Sequence, residues 1–158
     1  MCGIAGILSP EPIDPHASCW RAMSESLSPR GPDQAGNFFL DGCALLHRRL
    51  AVVDPAGGRQ PMSYAQLTIV YNGELYNTQE VKQLLVARGY RFDTHSDTEV
   101  VLKAFHAWGP DCARQFNGIF AFAVYDRLRR QLTLVRDPLG VKPLFYCKRD
   151  AGLLFASE

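Results

Sequence analysis

Residues 119–135, IFAFAVYDRLRRQLTLV, hold two apolar segments on either side of a short charged turn. The first segment ends at Tyr125 and the second begins at Leu132, and both are rich in residues that favour strands. Two further segments of this kind follow, Leu144 to Cys147 and Leu153 to Ala156. Consecutive strands joined by tight turns pair antiparallel, so this part of the chain predicts an antiparallel sheet.

Earlier segments of the chain also predict strands, separated by turn-forming residues. These segments are Gly3 to Leu8, Phe38 to Leu40, Ala44 to Leu46, Leu50 to Val53 and Leu67 to Tyr71. The second and third are joined by Asp41-Gly42, a pair that suits the type I′ turn of a β-hairpin.

Helices are predicted from capping residues and from the spacing of apolar residues. They begin at Asp14-Pro15, at Asn77 with Glu80, at Ser96 with Glu99 and at Pro110, and end before Pro29, at Gly89, near Gly109 and at Phe116. The helices cluster in two groups and do not alternate with the strands. The predicted class is therefore α+β, with sheets packed together and helices outside, and a Rossmann arrangement is excluded.

Length and composition exclude several classes of protein. The chain has 158 residues, 47% of them hydrophobic, and a net charge of +1, which argues against disorder and against a nucleic-acid partner bound by bulk charge. No apolar segment is long enough to span a bilayer, and the N-terminus lacks a signal-peptide pattern. Five cysteines without a CxxC pair, and four histidines without ligand spacing, predict a cytoplasmic protein without a metal site.

Cys2 directly follows the initiator methionine. Cysteine is small enough for Met1 to be excised, which would give Cys2 a free α-amino group. An α-amine and a thiol both titrate near neutral pH, so one residue could supply a nucleophile and its own general base. A buried structural cysteine in a terminal strand is the simpler interpretation of this residue taken alone.

Three further positions carry possible site chemistry. Asn72-Gly73 follows a predicted strand, and its side-chain amide and backbone N–H could donate to a developing oxyanion, although the pair also suits an ordinary turn. Arg48 or Arg49 could clamp a carboxylate, or both could be solvated cations on a strand. Asp97 could pair with a substrate ammonium group or simply be stabilised by the helix dipole.

A series of motifs runs in order along the whole chain. They are Met1 to Gly6, Arg30 to Asp33, His47 to Asp54, Gln60-Pro61, Tyr71 to Asn77, Ser96 to Glu99, Asn117 to Phe122 and Arg136 to Leu144. Each motif is weak by itself, but the ordered set resembles the class II glutamine amidotransferase domain of glutamine-hydrolysing asparagine synthetases. The resemblance implies a four-layer αββα sandwich, the fold of N-terminal nucleophile hydrolases.

The resemblance also implies roles for individual residues. Cys2 would attack the side-chain amide of glutamine, with Asn72 and Gly73 forming the oxyanion hole. The glutamine-binding residues would be Arg49 for the α-carboxylate, Asp97 for the α-ammonium group, and Val53 and Glu74 in the pocket wall. The released ammonia would reach a C-terminal synthetase domain, where ATP and Mg²⁺ activate aspartate; no cofactor is expected in this chain.

The match to the family is incomplete at two places. Pro29 stands where family members usually have histidine, and the last residues, up to Glu158, resemble a motif that normally continues. Residues 1–158 are therefore expected to be a C-terminally truncated amidotransferase domain without the synthetase domain, and a homodimer is possible. Two alternatives stay open: the same chemistry feeding an amidophosphoribosyltransferase, aminosugar synthase or amide ligase, and a non-catalytic glutamine-binding module if Met1 is retained.

Overall fold

The computed structural model describes residues 1–51, 54, 57–149 and 152–158. Within these residues nine strands form two antiparallel sheets. The strands are β1 (Gly3–Leu8), β2 (Gln34–Leu40), β3 (Cys43–Arg49), β4 (Met62–Tyr64), β5 (Leu67–Leu75), β6 (Gly118–Asp126), β7 (Gln131–Arg136), β8 (Phe145–Arg149) and β9 (Gly152–Ala156). The first sheet has the order β2-β3-β1-β9-β8 and the second β4-β5-β6-β7.

The two sheets pack face to face through an apolar core. Ile4 and Leu45 of the first sheet contact a cluster that contains Val70, Ala123 and Tyr125 of the second, and all five are buried. Side chains alternate between the two faces of a strand, so each central strand also presents an outer face. Burial of both faces accounts for the nearly continuous apolar sequence of β6.

Helices cover the two outer faces. The described residues form α1 (Ser18–Ser26), α2 (Thr78–Val86), α3 (Asp97–Trp108) and a 3-10 helix (Gly109–Gln115). The α2 and α3 helices share a buried cluster with the outer face of the second sheet, and Leu27 beside α1 packs against Leu46 of the first sheet. The predicted four-layer αββα sandwich is confirmed. None of the helices in the described part of the chain is long and apolar enough to cross a membrane.

The first helix and the hairpin turn differ from the prediction. The α1 helix begins four residues after Asp14, whose carboxylate instead accepts the N–H of His16 at 2.9 Å in a local turn. In the hairpin between β2 and β3, Asp41 has a positive φ of 51° and Gly42 does not. Type I′ was therefore wrong for this turn, because it needs positive φ at both residues.

Several strand and helix boundaries also differ. Leu50 and Ala51 lie outside any strand, and Val52 and Val53 lie outside the described residues. The three-residue β4 strand was not predicted, and residues 109–115 form a 3-10 helix. The α2 helix ends at Val86, before the predicted Gly89.

Asn77 and Ser96 are the N-caps of α2 and α3, as predicted. Within the described residues, however, neither takes part in a capping box, in which the residue three positions later bonds back to the cap. Asn77 is the N-cap of α2, but its side chain bonds Gln115 and Asn117 and no helical N–H. Ser96 does cap α3, accepting the N–H of Thr98 at 3.1 Å. Glu99 does not reach back to the cap, because its carboxylate accepts backbone N–H groups of the preceding loop and the ammonium of Lys103.

Candidate active site

A cavity of about 210 Å³ opens where the N-terminus, the end of β3, the middle of β5 and the start of α3 meet. All six predicted site residues that the structure describes line this cavity. They are Cys2, Arg49, Asn72, Gly73, Glu74 and Asp97. The seventh, Val53, lies outside the described residues. Residues far apart in sequence are thus brought together by the packing of one sheet on the other.

Cys2 lies immediately before β1 and is held by backbone contacts. Leu50 donates its N–H to the Cys2 sulfur at 3.4 Å, and the sulfur lies 3.7 Å from the Leu50 carbonyl oxygen. Arg30 donates its Nε–H to the Cys2 carbonyl at 3.1 Å. The Arg30 to Asp33 motif, to which the sequence analysis gave no role of its own, therefore contacts the candidate nucleophile directly.

The thiol of Cys2 is partly buried. Burial raises the pKa of this thiol above its ordinary value, and the Leu50 hydrogen bond and the nearby charges of the N-terminus and Arg49 partly offset the effect. Met1 is 58% exposed and also lines the cavity. Its peptide bond to Cys2 occupies the α-nitrogen, which becomes a free amine only when Met1 is removed.

Asn72 has the most unusual environment in the cavity wall. Its side chain is 1% exposed, yet Nδ2 has no hydrogen-bond partner among the described residues. Buried donors without acceptors are rare, because each costs about 1–3 kcal/mol. The Asn72 donor is therefore available to an acceptor on a molecule bound in the cavity.

Gly73 places a backbone donor beside that amide. Successive residues of an antiparallel strand point their N–H groups to opposite edges, so every second residue shares an edge. The N–H groups of Tyr71 and Leu75 bond Gln60 and Asp97, on the side of β5 away from β6, so the N–H of Gly73 points there too. A Cβ on Gly73 would lie 2.6 Å from the Ile119 carbonyl oxygen, which leaves no space for a side chain.

Opposite charges lie on the cavity wall. Arg49 is 5% exposed, and its guanidinium donates to the side chain of Gln34 and the Asp54 carbonyl. Asp97, the first residue of α3, accepts the Tyr71 hydroxyl at 3.0 Å. Burial raises the pKa of the Asp97 carboxyl, and its hydrogen bonds oppose this effect. Glu74 is exposed at the rim and Lys142 also lines the cavity, so the wall presents two basic and two acidic side chains.

Other cavity residues were not predicted as part of the site. Gln60, Tyr71 and Lys142 line the cavity. All three lie in motifs that carried the family resemblance, and Tyr71 was also predicted as part of a strand. The backbone N–H of Lys142 donates to Asp137 at 3.0 Å, so the Arg136 to Leu144 motif shapes the turn that reaches the cavity.

Cys2 thus lies immediately before β1, the central strand of the first sheet, in an αββα sandwich. Comparison with solved structures agrees: glutamine phosphoribosylpyrophosphate amidotransferase from Bacillus subtilis superposes with a TM-score of 0.77, covering 99% of this chain and 42% of that chain. Its sequence identity is 22%, so this likeness concerns the fold.

Sequence comparisons are more specific. The family described as "Glutamine amidotransferase domain" matches residues 1–158. "Asparagine synthetase [glutamine-hydrolyzing] 3" of Bacillus subtilis is 45% identical, covering 100% of this chain and 26% of that protein. "Probable asparagine synthetase [glutamine-hydrolyzing]" of Dictyostelium discoideum is 37% identical, covering 100% of this chain and 29% of that protein. The chain belongs to the glutamine amidotransferase domain family, and it spans about a quarter of the length of these curated relatives.

Proposed function

We propose that this chain hydrolyses the side-chain amide of glutamine with Cys2 as nucleophile, once Met1 has been removed. The observation that carries the proposal is the buried Asn72 amide, which has no partner among the described residues and lies in the same cavity as Cys2 and Gly73. An acyl-transfer site needs donors aimed at the developing oxyanion and a nucleophile on the other side of the carbonyl carbon.

The reaction proceeds in two steps at Cys2. The α-amine accepts the thiol proton as the sulfur bonds to the amide carbon, and the oxyanion accepts hydrogen bonds from Asn72 Nδ2 and the Gly73 N–H. The protonated α-amine then delivers its proton to the leaving nitrogen, and ammonia departs as the C–N bond breaks. Water attacks the resulting thioester, again with the amine as base, and glutamate and free Cys2 are formed.

The charges on the cavity wall suit the amino-acid end of glutamine. Arg49 would bind the α-carboxylate and Asp97 the α-ammonium group, with Glu74 at the rim of the pocket. The raised pKa of the Asp97 carboxyl is compatible with this role, because an ammonium group beside a buried carboxylate favours its charged form.

The names of the sequence relatives support asparagine synthesis as the use of this ammonia. In that arrangement a C-terminal synthetase domain binds ATP and Mg²⁺ and amidates aspartate, and this chain itself needs no cofactor. The structural neighbour suggests a phosphoribosyl acceptor as the alternative, at lower sequence identity.

Ammonia and glutamate release from glutamine, measured on two preparations of identical sequence, tests the proposal. One is processed to begin at Cys2, and the other retains Met1 because methionine aminopeptidase is inhibited during expression; intact mass distinguishes them. The processed protein should release equal amounts of both products and the Met1-retaining protein almost none. Equal turnover by both preparations would overturn the role of the α-amine.

A further inference from the structure

The outer edge of β5 changes its hydrogen-bond partner along its length. Ile69 pairs with Met62 of β4, which is the first residue of that short strand. Beyond this point β5 continues for six residues, and the backbone groups of Tyr71, Gly73 and Leu75 point to the same edge, away from β6. The partners at this edge therefore decide whether the Gly73 N–H is available to a ligand.

Gln60 supplies the partner at Tyr71 from its side chain. The N–H of Tyr71 donates to Gln60 Oε1 at 2.6 Å, and Gln60 Nε2 donates to the Tyr71 carbonyl at 3.1 Å. A side-chain carboxamide carries the same donor and acceptor as a peptide group. The Gln60 carboxamide therefore takes the place of a backbone residue opposite Tyr71, just beyond the end of the pairing between β4 and β5.

Among the described residues of β5, the Gln60 side chain pairs only with Tyr71, whereas a backbone strand would continue along the edge of β5. Had β4 extended along this edge as backbone, its next ladder position would lie opposite Gly73 and occupy the Gly73 N–H. We propose that Gln60 is a positioning residue for the oxyanion hole: it fixes β5 next to Asn72 and Gly73 while leaving the Gly73 N–H facing the cavity. This inference rests on the proposed glutamine hydrolysis.

Two further contacts hold Gln60 in place, one through its side chain and one through its backbone. Gln60 Nε2 also lies 3.2 Å from the hydroxyl oxygen of Thr98, in the first turn of α3. The Gln60 carbonyl packs so closely against Gly36 of β2 that a Cβ there would lie 1.9 Å from its oxygen. The Gln60 side chain thus joins β5 to α3, and its backbone is held against the first sheet.

The substitution Gln60→Leu tests this role because it keeps the approximate size and removes the hydrogen bonds to Tyr71 and Thr98. An oxyanion hole acts on the transition state more than on bound substrate, so kcat for ammonia release should fall about 10- to 100-fold. KM for glutamine should stay within about threefold. Gln60→Glu retains the acceptor for the Tyr71 N–H and should give an intermediate kcat.

Gln79→Leu is the matched control. Gln79 is exposed on α2, so its substitution should leave kcat and KM unchanged. Thermal unfolding of every variant identifies any that fail to fold. If Gln60→Leu does not fold, the kcat of Gln60→Glu still decides the test. If KM alone rises, or if kcat of folded Gln60→Glu equals that of the unsubstituted protein, the positioning role is wrong. If the unsubstituted protein releases no ammonia, the proposed function fails, and this inference fails with it.

Discussion

Asn72→Leu should separate stability from activity. The substitution replaces a buried amide by an apolar side chain of similar size. In the unliganded protein Nδ2 has no partner among the described residues, so its removal eliminates a donor that was desolvated without compensation. Catalysis, in contrast, loses a donor to the oxyanion. We therefore expect a protein that is more stable and nearly inactive.

The expected magnitudes follow from the burial of this side chain. Asn72 is 1% exposed, and leaving a buried donor unsatisfied costs about 1–3 kcal/mol. Allowing for the changed shape, Asn72→Leu should raise the free energy of unfolding by about 1 kcal/mol, or Tm by about 2–4 °C for a chain of this size. Loss of one oxyanion-hole donor should lower kcat about 10²- to 10³-fold.

Asn77→Leu is the matched control for stability. Its amide donates to the Gln115 carbonyl and accepts the Asn117 N–H, both at 2.9 Å, so the same substitution should lower stability by about 1–2 kcal/mol. Chemical denaturation and glutaminase assays on the three proteins give both quantities. A loss of stability in Asn72→Leu as large as in Asn77→Leu would refute the assignment of an unsatisfied amide.

Three further predictions concern other parts of the molecule. Burial lowers the pKa of His47 from 6.5 to about 4. The unfolded state therefore binds the extra proton between these values, and stability should fall by roughly 3 kcal/mol as pH drops from 6.5 to 4; His47→Gln should reduce this dependence, as measured by denaturation at each pH. Asp137 accepts the N–H groups of Phe120, Val141 and Lys142, so Asp137→Ala should cost about 3 kcal/mol in the same assay. Asp97→Asn should raise KM for glutamine about tenfold or more with a smaller change in kcat, and an unchanged KM in steady-state assays would remove Asp97 from the binding site.

Local sequence signals predicted most of the fold. The apolar segments around Ile119 and Leu132 predicted β6 and β7, because composition and turns determine short antiparallel strands. Local capping rules were less accurate where tertiary contacts compete. Asn77 bonds the loop before β6, so the partners of its amide lie about 40 residues away.

The candidate site was also predictable from the sequence only in part. Motif order indicated Cys2, Asn72 and Asp97, which the structure places around one cavity. The role of Gln60 could not be predicted, because a side chain that substitutes for a strand residue leaves no periodic pattern in the sequence. Its partner is 11 residues away, and only the folded geometry shows that the carboxamide pairs with the edge of β5 beyond β4.

The central claim is that Cys2 is the nucleophile, and Cys2→Ala tests it most directly. Alanine also permits removal of Met1, so this variant keeps the α-amine and loses only the thiol. Cys19→Ala, at an exposed cysteine, controls for nonspecific loss of a thiol. We predict that processed Cys2→Ala releases no ammonia from glutamine above the uncatalysed rate, while Cys19→Ala retains full activity. Undiminished ammonia release by Cys2→Ala would contradict the account.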